Sequence, residues 1–324
     1  MVIDPSERGR YPRLSIVHGV YIVRKFSRLS LLSLALVMPG LAFAQNGGTL
    51  QKIKETGTIT IGYRESSAPF SYLDDNQKPI GYAMDICMKV VDAVQAELKL
   101  PNLKVELTPV TSSNRIPLMA NGTVDLECGS TTNNADRQKQ VAFTNTHFLT
   151  ASIFVAKKSA NLHRIADLKG KTVVSTAGST NIGQLNKVNA EQNLGINIVP
   201  GKDHAEGLLM VETGRAAAFV MDDVIIAGLV AVSKDPAMYA NGDEAFSKPE
   251  PYGVMLRKDD PSFKALVDAT TAKLYKTEGE ALYAKWFTKQ IPPKGINMNL
   301  PLTPAMKKAL QNPSDNPDPA SYRG

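Results

Sequence analysis

A short polar segment at residues 129–137, Gly-Ser-Thr-Thr-Asn-Asn-Ala-Asp-Arg, has the residue types of a site for a small carboxylate. It follows residues 123–126, which have the pattern of a buried strand preceded by a turn at Gly122. The segment offers hydroxyls and backbone N–H groups at the carboxyl end of that strand, where small ligands bind in open α/β sheets. Arg137 can hold both oxygens of a carboxylate because its guanidinium is planar. These features predict an amino-acid-binding site.

An internal similarity links this segment to a second part of the chain. When the sequence is shifted by 92 residues, 114–130 aligns with 206–222. The polar side chains that this shift brings into register are Ser112 with His204, and Ser130 with Asp222. Each copy thus has one polar group just before its helix and another just after its strand. A match this short can arise by chance, but if it is real it predicts two similar lobes whose polar edges face each other across a cleft.

The elements that would position these groups are short strands alternating with helices. Strands are predicted at residues 58–63, 104–110, 123–126, 172–175, 196–199 and 216–221. Helices are predicted at residues 81–98, 114–120 and 185–192, from about residue 205, and at 261–276 and 278–289. This order predicts an α/β protein.

The two lobes are predicted to be joined by two crossing segments. Lobe 1 is expected to comprise residues 49–150 and 252–302, and lobe 2 residues 151–251. Segments near 148–154 and 249–254 should act as hinges between them. The tail, residues 303–324, is rich in proline towards its end and is predicted to be largely disordered.

Composition and charge describe an exported soluble protein. Of its residues 43% are hydrophobic and 21% charged. The net charge of +6 is concentrated in residues 1–44, and the remainder carries about +2, so no nucleic-acid partner is expected. Residues 1–44 combine basic residues, a short apolar run and Ala42-Phe43-Ala44, the pattern of a signal peptide cleaved near Ala44. An uncleaved anchor is the alternative, although the run is short for a bilayer. Where translation begins within residues 1–28 is left open.

The chain has two cysteines, Cys87 and Cys128. An oxidising compartment favours a disulfide between them. Cys87 belongs to a set of apolar residues at helical spacing, so it should lie on a buried helix face, and Cys128 should end the strand before the polar segment. Two buried free thiols are the alternative. No CxxC motif or neighbouring histidine suggests a metal, and neither a metal nor a cofactor is predicted.

Four motifs together carry a resemblance to a known family. They are residues 62–72, 111–117, 129–137 and 219–223. From about residue 49 to 302 the chain resembles the periplasmic solute-binding proteins of amino-acid ABC importers (solute-binding protein family 3), and among them the glutamate/aspartate-binding proteins. The wider family usually has an aromatic residue near the end of the first strand, where this chain has Arg64. It also spaces its Thr and Arg more closely than Thr132 and Arg137. Both departures are expected of the branch that binds acidic ligands.

The resemblance implies a fold and a set of ligand contacts. The fold would be that of a two-lobed periplasmic binding protein (type II), with a mixed sheet flanked by helices in each lobe. Arg137 would bind the α-carboxylate with Thr132 and a backbone N–H near Thr180, and Asp222 would bind the α-ammonium with Ser130. The distal carboxylate would be bound by Arg64 and Arg115, with Ser112 and His204 completing its hydrogen bonds.

The function implied is binding of L-glutamate or L-aspartate by a monomer and delivery to the membrane permease of an ABC importer. Two alternatives stay open. An enzyme on the same fold, a dehydratase or lyase, would need a free acid or base in the cleft, for which Glu65 and Asp223 are the candidates. A ligand-sensing module of a receptor would usually be fused to a membrane helix, and none is expected after residue 44.

Overall fold

The computed structural model describes residues 48–293 and 295–322, so the predicted signal peptide lies outside the described residues. Its helices are α1 (Thr49–Thr56), α2 (Tyr82–Leu98), α3 (Arg115–Ala120), α4 (Ala135–Gln138), α5 (Thr180–Glu191), α6 (His204–Glu212), α7 (Asp223–Val232), α8 (Pro261–Phe287) and α9 (Pro304–Gln311). Its strands are β1 (Thr58–Tyr63), β2 (Ser66–Ser67), β3 (Ser71–Leu73), β4 (Pro79–Ile80), β5 (Lys104–Pro109), β6 (Leu126–Cys128), β7 (Val141–Phe143), β8 (Phe148–Thr150), β9 (Ser152–Lys157), β10 (Thr172–Thr176), β11 (Asn197–Gly201), β12 (Ala218–Asp222), β13 (Tyr239–Asn241), β14 (Glu250–Tyr252), β15 (Met255–Arg257), β16 (Gln290–Ile291) and β17 (Ile296–Asn297).

Two five-stranded sheets of the same topology form the lobes. The first has the order β5-β1-β6-β15-β7 and the second the order β11-β10-β12-β9-β13. In each sheet the first three strands are parallel and the last two are antiparallel to their neighbours. Strands β6 and β12 hold the same central place, and each follows a helix, α3 or α6. The structure thus supports the predicted internal similarity, because the aligned segments are equivalent units of the two lobes.

The chain passes between the sheets at β8 and returns at β14, and these two strands pair antiparallel with Phe148 opposite Tyr252. Aromatic rings surround this ribbon. Phe70 lies edge-on to Phe148 and Tyr252, with ring centroids 5.0 and 5.3 Å apart, and Phe287 stacks on Phe148 at 4.9 Å. Such pairs add to the stabilisation from burial alone. Both connections between the lobes therefore start from the same packed aromatic cluster, as expected of a hinge.

Cys87 and Cys128 form a disulfide, as predicted. Cys87 lies on the buried face of α2 and Cys128 is the last residue of β6, so the bridge ties helix to sheet directly beneath the polar segment that follows β6. The cysteines are separated by 41 positions. Closing a loop of this size stabilises a fold by about 4 kcal/mol in the chain-entropy account.

Two predictions for the C-terminal part of the chain were wrong. The helices expected at 261–276 and 278–289 are one continuous helix, α8, whose buried face packs against α2 and α9; Leu310 Cδ1 of α9 lies 3.5 Å from the position that a Cβ would take at Gly279. The tail expected to be disordered is ordered over residues 303–322. Helix α9 is amphipathic, and three side chains of its apolar face are buried: Met306, Ala309 and Leu310. Tyr322 is also buried, and its hydroxyl lies 2.8 Å from Thr146 Oγ1.

Candidate functional site

Polar side chains of lobe 1 meet at the carboxyl ends of three adjacent parallel strands. Arg64 follows β1, Ser112 lies between β5 and α3, and residues 130–132 follow β6. This is the edge at which ligands bind in open α/β sheets. Because β1 lies between β5 and β6, Arg64 lies between the other two groups.

Lobe 2 presents the equivalent edge of its own sheet. Thr176 ends β10, His204 begins α6 after β11, and Asp222 ends β12. His204 thus holds the place that Ser112 has in lobe 1, and Asp222 corresponds to Ser130, which are the pairs brought together by the 92-residue shift.

Arg64 joins the two edges. Its side chain is buried, with Nη2 3.0 Å from Ser112 Oγ and 3.3 Å from His204 Nε2. A guanidinium only donates, so His204 Nε2 accepts and its Nδ1–H is directed to Thr176 Oγ1, 2.9 Å away. Burial lowers the pKa of Arg64 to about 10. Burial, together with Arg64 and Arg115, lowers the pKa of His204 well below its usual value, so the imidazole is neutral.

Arg115 is held by a buried carboxylate through a hydroxyl. Its Nη1 donates to Thr131 Oγ1 at 2.5 Å, and Thr131 Oγ1 donates in turn to Glu127 Oε2 at 2.6 Å. The other carboxylate oxygen, Oε1, is 3.9 Å from Arg115 Nη1. Burial lowers the pKa of Arg115, while Glu127 acts in the opposite direction. Glu127 is therefore an internal counter-ion of the site.

Gly129 permits this arrangement. A Cβ at this position would lie 2.4 Å from Glu127 Oε1 and 2.9 Å from Arg64 Cγ. The glycine at the start of the polar segment is thus required by the close packing of an arginine against a carboxylate.

Arg137 closes the other end of the cluster. Its Nη1 donates to the carbonyl oxygen of Thr132 at 2.8 Å and its Nη2 to that of Gly178, in lobe 2, at 3.3 Å. Thr132 Oγ1 and Thr180 Oγ1 are 3.4 Å apart across the same boundary. Burial, together with the nearby Arg115, lowers the pKa of Arg137 to about 9.

Asp222 is the acidic group of lobe 2 at this boundary, and it is only 3% exposed. Asn181 Nδ2 donates to its Oδ1 at 2.8 Å, and the Tyr252 hydroxyl donates to its Oδ2. Burial raises the pKa of Asp222, and these two hydrogen bonds act against the rise.

Four buried polar atoms of the cluster make no hydrogen bond to any other described residue. Arg64 Nη1, Arg115 Nε and Ser130 Oγ can donate, whereas Glu127 Oε1 is an acceptor that lies 3.9 Å from Arg115 Nη1. Buried donors that stay unpaired are costly, and those of guanidinium groups most of all. The arrangement can therefore bind an anion that brings acceptor atoms to these positions.

All of the predicted site residues lie in this one cluster between the lobes: Arg64, Ser112, Arg115, Ser130, Thr132, Arg137, Thr180, His204 and Asp222. The sequence analysis missed Glu127, Asn181 and Tyr252, and it assigned no role to Thr131 within the polar segment. A signal existed for Glu127, since a charged residue between Leu126 and Cys128 in a buried strand must have a partner. Tyr252 and Asn181 had no comparable local signal.

Within the described residues, no helix is both long and apolar enough to cross a bilayer. The same residues contain no group of three or more His, Cys, Asp or Glu side chains that could hold a metal ion.

Comparison with known proteins identifies relatives along most of the chain. A family model for bacterial extracellular solute-binding proteins, family 3, matches residues 59–289. The L-glutamate/L-aspartate-binding protein of Pseudomonas aeruginosa is 50% identical over 270 residues, covering 83% of this chain and 89% of that one. The glutamate/aspartate import solute-binding protein of Escherichia coli is 47% identical over 296 residues, covering 88% and 96%.

Solved structures of amino-acid-binding proteins match the fold of this chain. An ancestral arginine-binding protein bound to arginine is 26% identical with a TM-score of 0.64, covering 71% of this chain and 98% of that one. A cysteine-binding protein from Campylobacter jejuni shares the fold with a TM-score of 0.64 at 23% identity, covering 74% and 93%. The architecture is that of the two-lobed, type II periplasmic binding proteins, as predicted. The chain belongs to the bacterial extracellular solute-binding proteins of family 3.

Proposed function

We propose that the protein binds L-glutamate and L-aspartate between its two lobes in the periplasm and delivers them to the membrane permease of an ABC importer. The observation that carries the proposal is the convergence of three buried guanidinium groups, Arg64, Arg115 and Arg137, around a boundary that also contains Asp222. Two relatives named for glutamate and aspartate support it.

The ligand would lie across the boundary with each charged group paired. Arg137 binds the α-carboxylate, with Thr132 and the backbone N–H near Thr180. Asp222 binds the α-ammonium, with the unpaired hydroxyl of Ser130. The distal carboxylate accepts hydrogen bonds from Arg64 Nη1 and Arg115 Nε, which have no hydrogen-bond partner among the described residues. Ser112 and the neutral His204 complete that end of the site.

The charge of the cluster matches an acidic amino acid. Its buried charged residues are the three arginines, Glu127 and Asp222, and with both carboxyl groups counted as carboxylates and His204 neutral they sum to +1. Glutamate and aspartate carry a net charge of −1 and balance it. Glutamine and asparagine are neutral overall and leave one buried guanidinium without its counter-charge, which is costly. Glutamate and aspartate differ by one methylene, which a pocket discriminates only weakly.

Delivery would depend on closure of the lobes about β8 and β14. Contacts from lobe 1 reach lobe 2 directly, such as Ser113 Oγ to the carbonyl oxygen of Ala177 at 3.1 Å. A ligand that touches both lobes favours this closed arrangement by its greater affinity for it. The closed monomer then docks on the permease. Export would be directed by the signal peptide predicted at residues 1–44, which is cleaved near Ala44.

Calorimetry of the refolded, ligand-free protein against glutamate, aspartate, glutamine and asparagine tests the proposal. We expect tight binding of the two acids and weak binding of the two amides. Equal or tighter binding of an amide contradicts it. Product analysis after incubation with each acid tests the enzyme alternative, since any turnover excludes a role in binding alone.

A further inference from the structure

Tyr252 stands apart from the predicted site residues because it belongs to the hinge. It is the last residue of β14, it is fully buried, and its hydroxyl donates to Asp222 Oδ2 in lobe 2. Asn181 donates to the other oxygen, Oδ1. Each oxygen of this carboxylate therefore has one protein donor, and its remaining lone pairs are free to face a ligand.

The position of the Tyr252 ring is fixed by contacts on several sides. Its backbone pairs with Phe148 of β8 and forms an isolated bridge with Thr132 of the polar segment. The ring lies edge-on to Phe70, with centroids 5.3 Å apart and an interplanar angle of 75°. Gly253 N donates to the carbonyl oxygen of Thr131 at 3.1 Å. The hydroxyl is thus presented to Asp222 by a side chain with little freedom to move.

Asp222 needs such support to act as a counter-ion. Burial and the neighbouring Asp223 raise its pKa, whereas the hydrogen bonds from Tyr252 and Asn181 lower it, with a further contribution from Arg137. A carboxylate that pairs with an ammonium must be ionised and must direct its free lone pairs towards it. Without its donors, the carboxylate is free to rotate and is more readily protonated.

We propose that Tyr252 is a positioning residue for the ammonium-binding carboxylate, and that it gives the site its selectivity for α-amino acids over dicarboxylates without an amino group. The inference rests on the proposed function. The hydroxyl acts through Asp222, so its contribution should vanish when Asp222 cannot bind an ammonium. Because Tyr252 belongs to the hinge strand β14, its hydrogen bond to Asp222 also links the ammonium-binding carboxylate to the connection between the lobes.

A double-mutant cycle tests this inference by calorimetry with glutamate. Tyr252→Phe should weaken binding at least about tenfold, because Asp222 loses one of the two donors that keep it ionised and oriented towards the ammonium. In the Asp222→Asn background the same change should alter affinity less than about twofold, because coupled residues are non-additive. Tyr82→Phe is the matched control: it is fully buried, contacts Phe70 edge-on, and its hydroxyl donates to a backbone carbonyl, that of His147. It should leave the affinity unchanged.

Glutarate, which has both carboxylates and no ammonium, gives a second measurement on the wild type and Tyr252→Phe alone. Its affinity should be the same in both proteins. An equal loss for glutarate and glutamate, or the same loss with and without Asp222, overturns the inference and assigns Tyr252 a general structural role. Unchanged glutamate affinity in Tyr252→Phe overturns it as well. A wild-type protein that binds no acidic amino acid refutes the proposed function instead.

Discussion

Replacing Arg115 by methionine removes the guanidinium from the distal-carboxylate end of the proposed site while keeping an unbranched apolar side chain. Arg115 is 2% exposed, and its guanidinium donates to Thr131 at 2.5 Å and lies 3.9 Å from Glu127. The variant therefore loses a ligand-binding group and the nearest cation of a buried carboxylate together. These two losses affect different quantities and can be measured separately.

The magnitudes follow from the contacts. Removing one partner of a buried ion pair costs about 3–5 kcal/mol of folding free energy, and the lower end applies here because Glu127 keeps the hydrogen bond from Thr131. In the proposed complex the ligand loses at least one hydrogen bond from a charged group, about 1.5–3 kcal/mol, which weakens glutamate binding by about 10- to 150-fold. Glutamine has no distal charge and loses less. The preference for glutamate over glutamine should therefore fall by about tenfold or more.

The double variant Arg115→Met/Glu127→Gln separates the two effects because it removes both charges. Urea denaturation should show that it recovers most of the stability lost in Arg115→Met. Calorimetry with glutamate and glutamine should show that it does not recover the preference for the acid. If the double variant prefers glutamate as strongly as the wild type does, Arg115 does not bind the distal carboxylate and the assignment of that end of the site is wrong.

Two further predictions concern the hinge and the closure of the lobes. Burial lowers the pKa of His147 to about 3, so its neutral form stabilises the fold fully above the unfolded-state pKa of about 6.5, and this stabilisation is lost as the pH falls from there towards 3. At pH 5 the free energy of unfolding should be about 2 kcal/mol lower than at pH 7 because of His147. Urea denaturation at the two pH values should show this difference in the wild type but not in His147→Phe; an identical pH dependence in the variant contradicts the reasoning. A Cβ at Gly178, in lobe 2, would lie 2.6 Å from Ser113 Cα in lobe 1, so Gly178→Ala should hinder closure and weaken glutamate binding by about tenfold or more. Gly170→Ala controls for backbone strain, since Gly170 also has a positive φ, 69° against 76°, but has no neighbour within 4 Å of its Cβ position; equal affinities of the two variants would exclude the clash as the cause.

The sequence analysis located the site because the residues involved obey a local rule. Arg64, Ser130 and Asp222 each follow or end a buried strand, and strand ends of one sheet meet at one edge. The internal similarity then indicated that two such edges face each other. Tyr252 and Asn181 escaped this reasoning, since their roles depend on the approach of the hinge strand and of α5 to Asp222, which no spacing in the sequence encodes.

The errors at the C-terminus have the same origin. The sequence analysis predicted a break at residue 277 and disorder after residue 302, the latter because proline-rich polar tails seldom fold alone. Helix α8 packs against both α2 and α9, and the apolar face of α9 is buried against α8 beside Gly279. Both outcomes therefore depend on contacts between elements that are distant in sequence, which their own residues do not encode.

In the proposed site, selectivity and closure have one physical cause. The guanidinium groups of lobe 1 become buried against His204 and Gly178 of lobe 2, and burial lowers the pKa of both Arg64 and Arg137. Burying a net positive charge is unfavourable until a counter-charge enters with it. An acidic amino acid brings two carboxylates and one ammonium and so a net negative charge, whereas a neutral amide brings one of each and no net charge. The ligand that balances the cluster is therefore the one that stabilises the closed lobes, and discrimination against the amides should be expressed as a failure to close rather than as a failure to contact lobe 1.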